Sequence, residues 1–398
     1  MTTALTESQR TVARKFVAYV FGDMAALWAG KGWNMAGQHG IERLRTDLTP
    51  VALGYRRSMV VGRQLFFFSQ AWHVTGTPLY ADRAHALFAD LTGRFWDAEH
   101  GGWFFSLGDD HAPANAGKDL YGHALVLFGL AHYATVFQQP AALDWARRTH
   151  VLIQRHLRLP QGWLAQAAAR DWRVTDQALE QNPHMHLLEA YLALHAASGD
   201  PDFLQEAARI VALFAKHLRS PNGAQVIEHL DADGRPRQDI GHLVQPGHSY
   251  EWYWLLNEYV DSSGQQDCKI LAAPLFDWAN RHGVDGLHGG IYDQLDTQGH
   301  VFSDRKRIWP VTECIKAHAT LAAQGGDAET CAALTRWITF LDRTYLTGQG
   351  GWHEYLRRDL QPDSDYLPAS TPYHIAMAAL KVERLLGQRE TRKLTMMP

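Results

Sequence analysis

Two histidines, His248 and His374, stand close to prolines that mark the starts of helical segments. The prolines are Pro246 in QPGHSYEW and Pro372 in STPYH. Proline is tolerated at the first helical position because its missing N–H would have had no partner within the helix. Helix N-termini carry partial positive charge, which stabilises a developing oxyanion and keeps a nearby imidazole neutral. A neutral imidazole can act as a base, so the pair predicts proton transfer.

Other polar side chains stand near the starts of comparable helical segments. Glu251 follows His248 by three residues, which places both on one helix face, and we expect this carboxylate to orient the imidazole. Arg63, in the otherwise apolar stretch VVGRQLFFF, could stabilise an enediolate. Structural polar residues have no reason to gather at one end of several helices, so their convergence predicts one site. The remaining candidates from this pattern are Tyr121, His186 and Glu313.

A structural role is the alternative for each candidate. The chain has 22 histidines, and most are expected to be hydrogen-bonded structural residues, with His123 and His150 among them. Arg63 could be an ordinary buried partner of Glu251 or Glu313. Three tryptophans beside glycine are expected to pack against hairpins; they are Trp33, Trp103 and Trp352.

Pairs of helical patterns must position these residues. The second segment of a pair is amphipathic, as in residues 139–158, whereas the first is apolar on nearly every side, as in DLYGHALVLFGLAHYA. This difference predicts an inner ring of six helices surrounded by an outer ring of six. The pairs are predicted at 55–74 and 79–95, 119–135 and 139–158, 184–198 and 203–217, 248–261 and 264–281, 311–323 and 327–343, and 373–388 with 8–30.

Glycines punctuate the chain between these pairs. Six of them, at 32, 102, 162, 223, 290 and 351, lie 60 to 70 residues apart, and several precede a short alternating segment that ends in a turn. Such segments predict short β-hairpins. The sequence therefore predicts an all-α fold, an (α/α)6 barrel of twelve helices with short β-hairpins in the connecting loops, as one domain over residues 1–398. An open helical solenoid is the alternative, but it would need polar capping repeats.

Composition and charge restrict the partner. The 398 residues are 46% hydrophobic and carry a net charge of −4, which suits a large core and argues against nucleic acid or an anionic membrane as partner. We expect a small, near-neutral substrate. The three cysteines have no CxxC spacing, the N-terminal stretch has no apolar signal segment, and a cytoplasmic protein is expected. The oligomeric state is left open, with a homo-oligomer as one possibility.

The HMH sequence at residues 184–186 raises the question of a metal site. Residues two apart on a helix point roughly 200° apart, so both imidazoles could not readily bind one ion. No glycine-rich phosphate loop, nucleophile elbow or dinucleotide fingerprint occurs between a predicted strand and helix. We therefore expect neither a metal nor a cofactor.

Five motifs together resemble the N-acylglucosamine 2-epimerase superfamily, which includes cellobiose 2-epimerases and mannose isomerases. They are GRQ at 62–64, NPHMHLLEA at 182–190, GHSYEW at 247–252, WPVTECIKA at 309–317 and STPYH at 370–374. The resemblance covers nearly the whole chain. It implies an (α/α)6 barrel that needs no metal or redox cofactor and moves a proton at the sugar carbon next to the carbonyl.

The resemblance also implies roles for single residues. His248 and His374 match the acid/base pair, Arg63 matches the arginine over the substrate oxygen, and Glu251 matches the carboxylate that supports His248. Four more positions match substrate-binding residues: Asn182, His186, Trp309 and Glu313. The STPYH motif resembles the mannose isomerase branch.

The expected reaction is the isomerisation of D-mannose to D-fructose through a cis-enediol(ate), with D-lyxose and D-xylulose as a further pair. Which histidine takes the C2 proton is left open. The nearest alternative is 2-epimerisation of mannose and glucose or of the N-acylated pair. Glycoside hydrolysis by Glu251 and Glu313 is a further alternative, and a sugar-binding protein without activity is another.

Overall fold

Twelve helices make up most of the part of the chain that the computed structural model describes, which is residues 5–395, with side chains through residue 387. Helix α1 spans residues 7–30, where a π-helical turn, Tyr19–Met24, joins Glu7–Ala18 to Ala25–Gly30. The other helices are α2 Ser58–Thr75, α3 Pro78–Asp90 continued by the π-helical turn Leu91–Phe95, α4 Leu120–Phe137, α5 Pro140–His156, α6 Gln181–Ser198, α7 Pro201–His217, α8 Pro246–Ser263, α9 Lys269–Trp278 continued by the π-helical turn Ala279–Gly283, α10 Ile308–Ala323, α11 Ala328–Thr344 and α12 Pro372–Thr395. A 3-10 turn, Gln266–Cys268, precedes α9.

The even-numbered helices form a closed inner ring. Each contacts the next along the chain, and α12 contacts α2, which closes the circle. The odd-numbered helices pack outside them, so the (α/α)6 prediction is confirmed and the solenoid is excluded. Residues of the inner helices are buried on nearly every side because other helices surround them.

Glycine permits the closest contact within the inner ring. A Cβ added to Gly62 of α2 would lie 2.5 Å from the carbonyl oxygen of Leu125, and one added to Gly129 of α4 would lie 2.4 Å from the carbonyl oxygen of Gly62. Only a residue without a side chain lets the two backbones approach this far. Helix α4 is also the one described helix that is long and apolar enough to cross a membrane, and 72% of it is buried inside the barrel.

Proline marks the inner helix starts with one small difference from the prediction. Pro246 and Pro372 are the first residues of α8 and α12, as expected. Pro183 and Pro310 are instead the third residues of α6 and α10. The difference is small because no N–H of the first turn has an intrahelical partner, so proline fits at any of these positions.

A hairpin turn recurs six times at one end of the barrel. In each turn a residue with positive φ donates its N–H to the carbonyl three residues before it. Consecutive turns lie 61 to 65 residues apart, which confirms the predicted hairpins and shows a regular sixfold repeat. The six residues are Leu48, His111, Trp172, Gly234, Gly299 and Leu360.

Each hairpin joins the segment that leads into an inner helix. The antiparallel pairs are Arg43–Arg45 with Tyr366–Pro368, Tyr55–Arg57 with Ser106–Gly108, Lys118–Asp119 with Ala167–Ala168, Leu179–Glu180 with His229–Leu230, Leu243–Val244 with Gln294–Asp296, and Lys306–Arg307 with Tyr355–Leu356. We call these six pairs the rim belt. The first pair joins two distant parts of the chain and so closes the belt. The other strands are Trp33–Asn34, His39–Gly40, Pro113–Asn115, Val174–Asp176, Val301–Ser303, Leu346–Thr347 and Gly351–Trp352.

Buried histidines connect the rim belt to the inner helices. Nε2 of His123 accepts the N–H of Trp103 at 3.1 Å, and its Nδ1 lies 2.7 Å from the carbonyl oxygen of Asp119. His184 repeats the arrangement 61 residues later with Leu164. The structure thus gives His123 its expected structural role and turns His184 away from His186. The predicted tryptophan packing is also observed, since Trp33, Trp103 and Trp352 are buried.

Two buried ion pairs repeat three units apart. Lys118 Nζ lies 3.0 Å from Asp97 Oδ2, and Lys306 Nζ lies 2.9 Å from Asp285 Oδ2. All four side chains are buried. Each pair fixes a strand that leads into an inner helix to the loop that follows an outer helix. The second pair lies halfway around the sixfold ring from the first.

Candidate active site

The candidate residues gather where the inner helices begin, inside the rim belt. Helices α2, α4, α6, α8, α10 and α12 each supply at least one of them. Most are at least nine-tenths buried, namely Arg63, His186, His248, Glu251, Trp309, Glu313 and His374. Tyr121 and Asn182 are half-buried. The structure thus brings all nine predicted site residues to one end of the barrel.

His248 is held by a carboxylate of the rim belt. Its Nδ1 lies 2.9 Å from Oε2 of Glu228. Because a carboxylate only accepts, Nδ1 carries the proton and Nε2 is left to accept one from a substrate. Glu228 also accepts the N–H of Gln245 at 3.1 Å and the side-chain N–H of Gln181 at 2.8 Å. The imidazole is therefore fixed in both orientation and tautomer.

Glu251 does not orient His248, and that part of the sequence prediction was wrong. Both Glu251 oxygens are buried without a hydrogen-bond partner among the described residues. Glu228 already occupies Nδ1 of His248, and it reaches that atom from a hairpin that spacing along α8 could not indicate. Burial raises the pKa of Glu251 well above its usual value, and nearby Glu313 adds to the effect. Glu251 is therefore a buried carboxyl group whose raised pKa favours the protonated form and whose oxygens are left open among the described residues.

His374 is held from the neighbouring inner helix. Its Nδ1 lies 2.8 Å from Oε1 of Glu313, whose Oε2 accepts from Trp254 at 2.9 Å and pairs with Lys316 at 2.7 Å. Burial lowers the pKa of His374 well below its usual value, and the positive charges of Arg63 and Lys316 lower it further. This imidazole is neutral at pH 7 and suits the role of a base.

Arg63 makes no ion pair with either predicted glutamate. It donates to the hydroxyl of Tyr121 at 2.8 Å and to the carbonyl of Ser370 at 3.5 Å. The guanidinium also lies 4.6 Å from the ring centroid of Tyr373, and its Nε is buried without a partner among the residues that the structure describes. The guanidinium therefore has donor capacity left for a substrate oxygen.

His186 is a third restrained imidazole. Its Nδ1 lies 3.1 Å from Oε2 of Glu189, which also accepts from the hydroxyl of Tyr373. Burial lowers the pKa of His186. Its ring centroid lies 6.4 Å from that of His374. The two rings therefore approach each other from helices α6 and α12.

Trp309 and Asn182 complete the predicted set. The Trp309 ring centroid lies 4.9 Å from that of His248 and 5.8 Å from that of His374, so the indole connects the two imidazoles. Asn182 Oδ1 is buried without a hydrogen-bond partner among the described residues. A buried acceptor of this kind is costly unless a ligand satisfies it.

Sequence reasoning missed three residues that hold the imidazoles, and these are Glu228, Glu189 and Tyr373. The signal for Glu228 is its place six residues before the positive-φ residue of its hairpin, where Glu42 and Glu354 stand in two other repeats. Glu189 follows His186 by three residues on α6, so the spacing could have found it. Nothing in the spacing along α12 could have added Tyr373.

Glu251, Glu313 and His374 could hold a metal by spacing alone, since one donor atom of each lies within 4.8 Å of the others. The donors fit a metal poorly, however. Both oxygens of Glu313 already bind other groups, and the Lys316 ammonium stands beside it. A cation here would face a fixed positive charge. The arrangement suits proton transfer between restrained imidazoles and a substrate.

Comparisons with known proteins agree with this geometry. The sequence model of the N-acylglucosamine 2-epimerase family matches residues 18–378. The chain belongs to this family. It is accordingly an enzyme of the sugar isomerase and epimerase class, and the predicted resemblance is confirmed.

Three known proteins illustrate the relationship. A D-mannose isomerase of Pseudomonas cannabina pv. alisalensis is 30% identical over 344 residues, which cover 81% of this chain and 82% of that protein. A mannose-6-phosphate isomerase of Rhizobium meliloti is 28% identical over 385 residues, which cover 90% and 94%. The solved cellobiose 2-epimerase of Bacillus thermoamylovorans superposes with a TM-score of 0.86 at 20% identity, over 94% of this chain and all of the other.

Proposed function

We propose that this enzyme interconverts D-mannose and D-fructose, with D-lyxose and D-xylulose as a further pair. The observation that carries the proposal is the pair His248 and His374, whose Nδ1 atoms are both held by carboxylates beside one tryptophan. Support for mannose as substrate comes from the D-mannose isomerase that is 30% identical to this chain.

The reaction balances with one base. After ring opening, one imidazole takes the C2 proton, and the electron pair forms the C1–C2 double bond as the C1 carbonyl oxygen gains negative charge. The same imidazole returns the proton to C1, the C2 hydroxyl loses its proton as the C2 carbonyl forms, and that proton passes to the C1 oxygen, which becomes a hydroxyl. The second imidazole serves ring opening and the oxygen atoms. Which histidine fills which role is left to experiment.

Arg63 and Glu251 stabilise the charge that develops on oxygen. The Arg63 guanidinium has an N–H without a partner among the described residues, and the Glu251 carboxyl, whose pKa is raised by burial, can donate a hydrogen bond when it is protonated. Donors already fixed in a buried site stabilise an enediolate more than water does, because they need not reorganise. Asn182, His186, Trp309 and Tyr121 lie at the same end of the barrel and are proposed to bind the sugar, whereas Glu313, whose oxygens are engaged, is proposed to act on it through His374.

The test is a time course of D-mannose in D2O, followed by NMR. We expect fructose to form with the wild type, and His248→Asn and His374→Asn to lower kcat by a factor on the order of 10² to 10⁴, since general acid–base catalysis contributes about that much. The matched control is His150→Asn on outer helix α5, where Nδ1 of the imidazole lies 3.1 Å from the hydroxyl of Tyr191. Absence of both fructose and solvent deuterium on the sugar contradicts the proposal.

A 2-epimerase is the second candidate, and the third restrained imidazole favours it. His186 and His374 lie on opposing helices with ring centroids 6.4 Å apart, so two bases could reach opposite faces of one carbon. The product separates the candidates. An isomerase forms a ketose, whereas an epimerase forms an aldose with deuterium at C2.

Glycoside hydrolysis gains no support from the geometry. Carboxyl groups of retaining enzymes stand roughly 5 to 5.5 Å apart and those of inverting enzymes about 6.5 to 9.5 Å apart. Donor oxygens of Glu251 and Glu313 lie within 4.8 Å of each other, and both Glu313 oxygens are engaged.

The cytoplasmic location and the possible homo-oligomer stay predictions.

A further inference from the structure

In five of the six repeats a polar residue lies directly before the rim-belt strand of the hairpin, six residues before the positive-φ residue. This position is occupied by Glu42, Gln166, Glu228, Asp293 and Glu354, and by Phe105 in the second repeat. The backbone at this position contacts the inner helix that precedes the hairpin. For example, the N–H of Gln181, the first residue of α6, donates to the carbonyl oxygen of Glu228.

The glutamates at this position cap the next inner helix. Glu42 Oε1 accepts the N–H of Arg57 at 2.5 Å, and Glu228 Oε1 accepts the N–H of Gln245 at 3.1 Å. Glu354 Oε2 accepts from the hydroxyl of Thr371 at 2.8 Å. In all three cases the donor is the residue that immediately precedes an inner helix. Each of the three glutamates at the repeated position is therefore a satisfied carboxylate.

Asp293 departs from this pattern. Its side chain is one methylene shorter, and its Oδ1 is buried without a hydrogen-bond partner among the described residues. The residue that it would cap is Arg307, which precedes α10. Burial raises the pKa of Asp293, against the opposing influence of Arg307, Arg305 and His248. Asp293 is thus a buried acceptor left open beside the catalytic histidine.

Arg307 offers donors beside this acceptor. Its side chain is one-third exposed, its Nε is buried without a partner among the described residues, and its closest carboxylate oxygen, Glu354 Oε1, lies 3.8 Å away. The guanidinium lies 5.9 Å from the Trp309 ring centroid and within electrostatic reach of Tyr121, which stands on the opposite inner helix. Arg307 therefore projects over the mouth of the barrel.

We propose that Asp293 and Arg307 form a subsite that binds sugar hydroxyls remote from C1 and C2, an inference that rests on the proposed function. Asp293 accepts a hydrogen bond and Arg307 donates one, which is the complement of two neighbouring hydroxyls. The subsite selects neutral sugars over phosphate esters, because Asp293 and Glu354 place two carboxyl groups beside the guanidinium.

Asp293→Asn, compared across a set of sugars, tests the subsite. We expect KM for D-mannose to rise about tenfold with little change in kcat, since a hydrogen bond to a charged group contributes roughly 1.5 to 3 kcal/mol. The rise disappears for the sugars that lack the partner hydroxyl, which are 4-deoxy-mannose alone if that hydroxyl is at C4 and both 6-deoxy-mannose and D-lyxose if it is at C6. An equal rise for every sugar overturns the proposal. The matched control is Asp304→Asn, an exposed carboxylate of the same loop.

A measurement of sugar affinity tests the subsite independently of the proposed reaction. D-Mannose is titrated by calorimetry into the His374→Asn variant, with and without Asp293→Asn. A tenfold weaker affinity supports the subsite even if the wild type forms no fructose, which would overturn the isomerase alone. Unchanged affinity overturns the subsite even if fructose forms. Preference of the wild type for mannose 6-phosphate over mannose overturns the selection of neutral sugars.

Discussion

At the scale of single residues, the site depends on which atom of each imidazole carries the proton. Glu228 and Glu313 accept from Nδ1 of His248 and His374 respectively, so Nε2 of each ring is the free base. A carboxylate in this position fixes the tautomer and stabilises the imidazolium that forms during turnover. Glu228 acts through His248 and is a positioning residue.

Glu228→Gln tests this role. An amide can offer Nδ1 either a donor or an acceptor, so we expect the wrong tautomer of His248 to become populated and kcat to fall by a factor on the order of 10² or more, with KM nearly unchanged. Steady-state kinetics on D-mannose measures the two constants separately.

Glu180→Gln is the matched control, because Glu180 lies in the strand that pairs with the hairpin of Glu228 and its side-chain oxygen lies 3.5 Å from Nδ1 of His229. Equal losses of kcat in both variants would show that the belt, and not the tautomer, is disturbed. Recovery of activity by Glu228→Asp would support the positioning role.

At the scale of elements, the histidines that connect hairpins to inner helices must stay neutral. His123 and His184 each accept a backbone N–H at Nε2. Burial lowers the pKa of His123 to about 3 and that of His184 to about 4. The unfolded chain takes up these protons near pH 6.5, whereas the folded chain does not. The contribution of the two histidines to the free energy of unfolding is therefore fully present above pH 6.5 and is lost as the pH falls toward 4.

The double variant His123→Gln, His184→Gln makes this loss measurable. Glutamine can still accept the N–H but does not titrate. Between pH 6 and pH 4.5 we expect the free energy of unfolding of the wild type to fall more steeply than that of the variant, by up to about 1.4 kcal/mol per pH unit for each histidine. Urea unfolding at a series of pH values measures both slopes. Parallel slopes would contradict the assignment.

The elements themselves could be predicted from the sequence, because charge on one face separates outer from inner helices and proline marks where α8 and α12 begin. The partner of His248 could not. Glu251 satisfied the spacing rule along α8, but hydrogen bonds follow distance in space, and only the register of the hairpin brings Glu228 to the imidazole. Asp293 and Arg307 escaped prediction for the same reason.

At the scale of the whole molecule, the belt and the inner ring both close, so we expect one cooperative domain. The buried pairs Asp97–Lys118 and Asp285–Lys306 lie 188 residues apart in the chain and belong to opposite sides of the ring. Removing one partner leaves a buried ammonium without its counter-charge, which costs about 3 to 5 kcal/mol.

Asp97→Asn and Asp285→Asn should therefore lower the same unfolding transition by similar amounts. Calorimetry is expected to show one peak for the wild type and for both variants. Asp342→Asn serves as control, since its pair with Lys15 is largely exposed and contributes under about 1 kcal/mol. Two separate peaks in either variant would show that the barrel unfolds in parts.

Because the belt closes, the contacts of the folded barrel do not depend on which hairpin the chain starts from. Arg10 donates to the carbonyl of Leu386 at 2.8 Å, so the first and last helices lie side by side. A gene that joined them through a short linker and began anew at the turn Asp233–Gly234 would encode the same contacts in a different order. Every repeat offers such a point of opening, and the position of the termini is free to change while the mouth of the barrel stays intact.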